Sequence, residues 1–136
     1  MEITTELKQK IADIAKKHGL LCLVLFGSQA TGKTHNLSDT DIAFMGGHEI
    51  NYREQFEIQS DLEEIITNNP IELVNMRRIS PLLMRRIADM GKLLYEDRPG
   101  RFIAFKIMAF KLYVETAPLR RLRERYLSNF IKTYAY

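Results

Sequence analysis

The sequence lacks the features that define several protein classes. It contains one cysteine, which excludes an intramolecular disulfide. No apolar run approaches the ~20 residues needed to cross a bilayer, so we expect no membrane association. The three histidines, His18, His35 and His48, have no metal-ligand spacing, which argues against a zinc site. The amphipathic, acidic start does not resemble a signal peptide, and a cytoplasmic protein is therefore expected.

Length and charge indicate one domain with a distinctive tail. The 136 residues, 46% of them apolar, can form a single core, since folding at this size buries roughly two thirds of the unfolded surface. Residues 1–97 carry 11 basic and 15 acidic groups, whereas residues 98–136 carry 9 basic and 2 acidic groups. We therefore predict a body over 1–97 and a basic helical tail over 98–136, packed on the body, on a partner, or on both. The tail either binds an acidic partner or presents a solvated basic helix face.

Hydrophobic periodicity predicts an α/β (α+β) fold with a small sheet, flanking helices and a helical tail. Helical spacing indicates helices at about 4–18, 52–67 and 81–90, and short apolar runs indicate strands at 20–26, 39–45, 71–75 and 92–95. From residue 101 onward the pattern is helical, with a break at Ala117-Pro118. The second tail helix carries an apolar stripe that either belongs to the core or faces a partner. Its members are Leu119, Leu122, Tyr126, Phe130 and Tyr134.

Residues 21–45 can be interpreted through two different phosphate chemistries. The segment from Gly27 to Thr34, GSQATGKT, matches a Walker A phosphate-binding loop. Such a loop opens a helix whose N-terminal dipole adds to the anion site. Only the four residues 35–38 separate Thr34 from the strand predicted at Asp39, too few for a helix of about three turns. A Walker A kinase or NTPase is therefore the less favoured interpretation.

The favoured pattern combines Gly27-Ser28 with Asp39 and Asp41. Alternate side chains of an extended segment face the same way, so both carboxylates project from one face. In phosphate chemistry, magnesium is held by one or two carboxylates together with phosphate oxygens. Two such ions roughly 3.5 to 4 Å apart activate the attacking oxygen and stabilise the leaving one. Gly27 lets the backbone approach a triphosphate closely, and Ser28 can bind phosphate.

This pattern resembles the signature of the polymerase-β-like nucleotidyltransferases in their minimal, MNT-type form, and the chain length fits such a domain with a helical tail. The resemblance implies a third carboxylate on a neighbouring strand, where this chain offers Glu72. It implies ATP as the substrate and Mg²⁺, expected as two ions, held by Asp39, Asp41 and Glu72. It also implies that Gly27 and Ser28 anchor the phosphates.

The family often has Ala-Arg-Gly after its Gly-Ser, and Lys33 is the candidate here for the missing positive charge. Minimal domains of this kind are similar to the antitoxins of HEPN/MNT toxin–antitoxin pairs. That resemblance implies an adenylyltransferase that moves AMP from ATP to a tyrosine of a cognate HEPN ribonuclease toxin, within a hetero-oligomer. The rival interpretations are a binding-only antitoxin with a vestigial site and a DNA-binding partner. Direct binding of nucleic acid is the less favoured role of the basic tail.

Three further features have simpler explanations. Cys22 lies within an apolar strand, where a buried, inert thiol is expected. Arg85 and Arg86 are expected on a solvated helix face. Arg77 and Arg78 are expected to be solvated as well, or else to reach a triphosphate from the end of the third strand.

Overall fold

The structure is a computed structural model, and it describes residues 3–27, 39–66 and 70–134. Within these ranges it contains five helices and four strands, close to the predicted positions. In chain order they are α1 (Thr5–Lys17), β1 (Leu20–Phe26), β2 (Thr40–Gly46), α2 (Tyr52–Ile65), β3 (Ile71–Asn75), α3 (Pro81–Met90), β4 (Lys92–Glu96), α4 (Arg101–Glu115) and α5 (Ala117–Tyr134). No helix in the described ranges combines the length and apolar character required to span a bilayer.

Helices α1, α2 and α3 begin where short polar side chains accept a hydrogen bond from a backbone N–H of the first turn. Thr4 caps α1 by accepting from the N–H of Leu7 at 3.1 Å, and Asn51 caps α2 in the same way. Ser80 caps α3, and Pro81 follows it at a position where no intrahelical N–H is needed. The local sequence therefore fixes the starts of all three helices.

The four strands form one mixed sheet in the order β3-β2-β1-β4. Strand β1 pairs antiparallel with both β2 and β4, whereas β2 and β3 run parallel. The small mixed sheet of the predicted fold is confirmed. In this arrangement the last residues of β1 lie beside the first residues of β2 and β3, and these three strand ends together form one edge of the sheet.

Each face of the sheet is covered by helices, because alternate strand residues point to opposite sides. Leu23, Ile42 and Phe44 pack on one face against α1 and α2. Cys22, Val24 and Ala43 lie on the other face with the buried residues of α3 and α4. The chain thus forms a three-layer α/β domain. Cys22 is fully buried, as predicted, and burial raises the pKa of its thiol to about 12.

The last helix, α5, leaves the domain instead of joining the core. It contains no buried residue, and the five residues of its predicted apolar stripe are each at least half exposed. The α4–α5 junction is nonetheless fixed: Arg120 donates to the carbonyl of Tyr113 at 2.6 Å and lies 3.7 Å from the centroid of that ring. The interpretation of this stripe as core is wrong, and the stripe is a surface.

Candidate active site

Two acidic side chains meet at the sheet edge where β1 ends. Phe26 of β1 lies opposite Asp41 of β2, and Asp41 lies opposite Glu72 of β3. Residues in register on neighbouring strands share a face, and Asp41 alternates with Ala43 along β2. Asp41 and Glu72 are therefore on the face covered by α3 and α4.

Asp39 lies two residues before Asp41, immediately ahead of β2, and is exposed. The residue between them, Thr40, is only 2% exposed, which is the alternation that the sequence predicts. The backbone N–H of Thr40 donates to the carbonyl of Pro70 at 2.8 Å and so ties the start of β2 to the start of β3. This bond holds the segment that carries both aspartates beside the segment that carries Glu72.

The electrostatics of Asp41 indicate that the three carboxylates interact. Partial burial raises the pKa of Asp41, the charge of Glu72 and a hydrogen bond with it raise that pKa further, and the charge of Asp39 adds to the effect. Arg86 on α3 acts in the opposite direction and lowers it. The sheet edge thus concentrates negative charge, and the guanidinium of Arg86 opposes it.

Gly27 is required by the geometry of this edge. Its φ is 76°, in the left-handed region that side chains rarely adopt. A Cβ atom built on it would overlap Oδ2 of Asp41 and lie 3.2 Å from Cγ. The backbone of Gly27 therefore approaches the carboxylate more closely than any other residue type would allow.

The acidic cluster provides hard oxygen donors, the ligand type that magnesium prefers. No three Asp, Glu, His or Cys side chains within residues 3–27, 39–66 and 70–134 already have the arrangement of metal ligands. Asp41 and Glu72 are instead neighbours in register, and the interaction with Glu72 raises the pKa of Asp41. The donor chemistry fits a divalent cation, and binding one would relieve the repulsion that raises the pKa of Asp41.

The other candidate site residues lie either outside the described part of the chain or at the opposite end of the sheet. Ser28 and Lys33 lie outside the described residues. Arg77 donates from Nε and Nη2 to the carbonyl of Gly46, at 3.1 and 3.0 Å, and Arg78 pairs with Glu49 at 2.9 Å. Gly46 closes β2 whereas Asp41 lies near its start, so about five residues of strand, roughly 17 Å, separate these arginines from the carboxylates. The hypothesis that they reach the triphosphate is not supported.

Sequence reasoning missed Arg86, which was expected only on a solvated helix face. The two arginines of α3 have different surroundings. Arg85 pairs with Asp89 at 2.8 Å and lies 4.6 Å from the ring centroid of Tyr113 on α4, whereas Arg86 acts on Asp41. The buried positions Met84 and Ile87 are the signal that could have distinguished the two, because they set how α3 is rotated on the sheet.

Comparison with known proteins identifies the family. The family model described as "Polymerase beta, Nucleotidyltransferase" matches residues 9–99, which include Gly27, Asp39, Asp41 and Glu72. The chain belongs to this family. A curated relative, Protein adenylyltransferase MntA of Aphanizomenon flos-aquae, is 30% identical over an alignment that covers 85% of this chain and 83% of that protein. Family membership favours the nucleotidyltransferase interpretation of residues 21–45 over the Walker A interpretation.

Solved structures of toxin–antitoxin complexes share the fold. One, of a toxin–antitoxin with AMP-PNP, contains a chain that aligns with a TM-score of 0.74 at 22% identity and covers 91% of this chain and 98% of that chain. Another, of a tri-AMPylated Shewanella oneidensis HEPN toxin in complex with an MNT antitoxin, aligns with a TM-score of 0.68 at 20% identity, covering 91% and 95%. The predicted polymerase-β-like nucleotidyltransferase fold is confirmed.

Proposed function

We propose that this chain is the antitoxin of a HEPN/MNT toxin–antitoxin pair and acts in the cytoplasm as a Mg²⁺-dependent protein adenylyltransferase. It would move AMP from ATP to a tyrosine of its cognate HEPN ribonuclease toxin. The observation that carries the proposal is the placement of Asp39, Asp41 and Glu72 at one sheet edge beside Gly27. Membership of the nucleotidyltransferase family and similarity to an MntA adenylyltransferase support it.

The residues of the edge would divide the work. Asp39 and Asp41, with Glu72, would hold two magnesium ions, which supply Lewis-acid stabilisation of the phosphate charge when bound. The backbone of Gly27, with Ser28, would anchor the β- and γ-phosphates, and Lys33 would add positive charge. These roles need the close backbone approach that a glycine at position 27 permits.

The transfer step is an in-line displacement at the α-phosphorus. The tyrosine oxygen forms a bond to phosphorus as the bond to the bridging oxygen of the β-phosphate breaks, and pyrophosphate leaves. Glu72 would orient the phenol or accept its proton, because its carboxylate lies opposite Asp41 and is exposed to an incoming protein. AMP on the toxin would place negative charge and bulk where RNA phosphates must bind, and so block the ribonuclease.

Within the basic tail, residues 98–136, helix α4 packs on the body over 1–97 and helix α5 would bind the toxin. Helix α5 has no buried residue, and the five residues of its apolar stripe are each at least half exposed, which favours contact with a partner. Arginines surround the stripe and favour a partner with acidic groups at the rim of the interface. Binding there would produce the predicted hetero-oligomer and present a toxin tyrosine to the carboxylate edge.

The same exposed helix also favours a second candidate. In a binding-only antitoxin or DNA-binding partner, α5 alone would bind the toxin or the DNA, and the carboxylates would be vestigial. The two candidates differ in the need for Asp39 and Asp41. A Walker A kinase, by contrast, would transfer the γ-phosphate and would not need these aspartates at the start of a strand.

Labelled ATP separates these alternatives. Wild-type protein is incubated with the cognate toxin, Mg²⁺, and ATP labelled at the α- or the γ-phosphate. We expect α-label on the toxin, no γ-label, and loss of transfer in an Asp39→Asn/Asp41→Asn variant that still binds the toxin. Asp13→Asn is a matched control, because Asp13 lies on α1, on the opposite face of the sheet. Label from the γ position would indicate a kinase, and full neutralisation without any label would favour binding alone.

A further inference from the structure

Helix α3 runs from one end of the strands to the other. It follows β3, which ends on the same side of the sheet as the last residue of β2, Gly46. It precedes β4, whose first residue, Lys92, lies opposite Leu25 near the end of β1. At its C-terminal end the helix approaches β1 closely, since a Cβ built on Gly91 would lie 2.5 Å from Cγ1 of Val24. The second half of α3 therefore lies toward the edge that carries Gly27, Asp41 and Glu72.

The two arginines of α3 occupy opposite flanks of its buried face. Successive helix residues are rotated by about 100°, so with Met84 and Ile87 toward the sheet, positions 85 and 86 project to either side. Arg85 occupies the flank toward α4, where it contacts the rings of Phe110 and Tyr113. Because α4 contacts β1 and β4, the other flank of α3, which carries Arg86, faces the β2–β3 side of the sheet.

Arg86 has no structural role comparable to that of Arg85. It is exposed and makes no hydrogen bond or ion pair with another described residue, while Arg85 is held by Asp89 and two aromatic rings. Its charge nevertheless reaches Asp41. A guanidinium that acts on Asp41 and that no other residue in 3–27, 39–66 and 70–134 holds in an ion pair can bind a ligand of the opposite charge.

We propose that Arg86 is a substrate-binding residue whose guanidinium binds the phosphates of the ATP held at the Asp39–Asp41–Glu72 edge. This inference rests on the proposed function and assigns it a phosphate-binding side chain on α3. Guanidinium groups match phosphate oxygens with two parallel N–H donors, and such charge-assisted bonds are strong. As pyrophosphate leaves, negative charge grows on its oxygens, and Arg86 would stabilise that charge.

The test measures binding of a non-hydrolysable ATP analogue with Mg²⁺, together with binding of Mg²⁺ alone. For Arg86→Gln we expect a Kd for the analogue that is about tenfold or more above wild type, with partial recovery in Arg86→Lys. Affinity for Mg²⁺ alone should be unchanged or tighter, because the variant removes a positive charge beside the carboxylates. Arg78→Gln, which changes an arginine at the opposite edge, should bind the analogue like wild type.

Each other outcome overturns the assignment. If Arg86→Gln binds the analogue within twofold of wild type while wild type transfers AMP, Arg86 is not a phosphate ligand and the proposed function stands. If Arg86→Gln weakens Mg²⁺ and the analogue together, its role is to maintain the site. If wild type binds no analogue, the inference and the proposed function both fail.

Discussion

The carboxylate of Asp41 leaves no room for a side chain on residue 27, so this position requires glycine. The Oδ2 atom of Asp41 occupies the space that a Cβ on residue 27 would need, and the φ of 76° at residue 27 disfavours any side chain. The end of β1 and the start of β2 are thus fitted to each other at the point where the carboxylates gather. The site needs a glycine there for both a steric and a conformational reason.

A Gly27→Ala variant should lose transfer activity and stability together. Left-handed backbone costs a non-glycine residue roughly 1–2 kcal/mol, and displacement of the Asp41 carboxylate adds to that cost. Gly100→Ala is a matched control, because Gly100 has a φ of 92° but nothing within 4 Å of its Cβ position. Denaturant titration should therefore show a larger loss of unfolding free energy for Gly27→Ala than for Gly100→Ala.

The loss of unfolding free energy that Gly27→Ala shows beyond Gly100→Ala should disappear when Asp41 is also changed to Ala. There the nearest atom of residue 41 to the new Cβ would be its own Cβ at 3.4 Å, an ordinary contact. An equal cost of Gly27→Ala with and without the Asp41 carboxylate would contradict this explanation.

Asp41→Asn should stabilise the protein while it abolishes transfer. Burial and the neighbouring carboxylates raise the pKa of Asp41, so the folded state binds its proton more tightly than the unfolded state does. Wild-type stability from this group is full below the unfolded pKa and is lost as pH rises through the folded pKa. In the absence of Mg²⁺ at pH 7, we expect Asn to raise the free energy of unfolding by on the order of 1 kcal/mol.

The stabilisation by Asp41→Asn should shrink as the pH falls through the raised pKa of Asp41, because the carboxyl of the wild type then becomes protonated as well. Asp13→Asn, a change at an exposed position, serves as the control. A destabilised Asp41→Asn variant at pH 7 would show that the carboxylate is not under the repulsion inferred here.

The pKa of Asp61 is shifted in the opposite direction to that of Asp41. Its carboxylate hydrogen-bonds with His18 Nε2 at 2.7 Å and with the ammonium of Lys17 at 3.1 Å, and these contacts lower its pKa. Its contribution to stability is present above the unfolded pKa and is lost as pH falls through the folded pKa. We expect Asp61→Asn to cost about 1 kcal/mol at neutral pH, measured by thermal or denaturant unfolding.

Transfer activity per folded molecule should survive Asp61→Asn, because α1 and α2 cover the face of the sheet opposite Asp41. A loss of activity larger than the loss of folded protein would place this ion pair in the site's machinery.

Polar changes on α5 should separate binding from folding. Leu122 and Tyr126 are 58% and 67% exposed, so Leu122→Ser/Tyr126→Ser should alter stability by no more than about 0.5 kcal/mol each. Affinity for the toxin, measured by calorimetry, should fall by about tenfold or more. Tyr52→Ser is the control, because Tyr52 is also highly exposed, at 83%, but lies on α2. Undiminished affinity would remove α5 from the interface.

Most of the fold and part of the site could be predicted from the sequence, because both follow from local periodicity. The helix starts at Thr4 and Ser80 and the shared face of Asp39 and Asp41 needed no tertiary information. The register of Glu72 opposite Asp41 depends on the parallel pairing of β2 with β3, which family resemblance implied but no local pattern could supply.

Two features required the three-dimensional arrangement. The importance of Arg86 depends on the rotation of α3 about its axis, which packing of Met84 and Ile87 on the sheet determines. The stripe on α5 has the same spacing whether it is core or surface, so only its position beyond the α4–α5 junction shows that it is exposed.

Intact-mass spectrometry of the cognate toxin tests the central claim most directly. The toxin is incubated with ATP, Mg²⁺ and either wild-type protein or the Asp41→Asn variant, and its tyrosines are then mapped by fragmentation. The account predicts one or more AMP additions on a toxin tyrosine with wild-type protein and none with Asp41→Asn, although both bind the toxin. A toxin of unchanged mass that is nevertheless neutralised by both proteins would contradict the account.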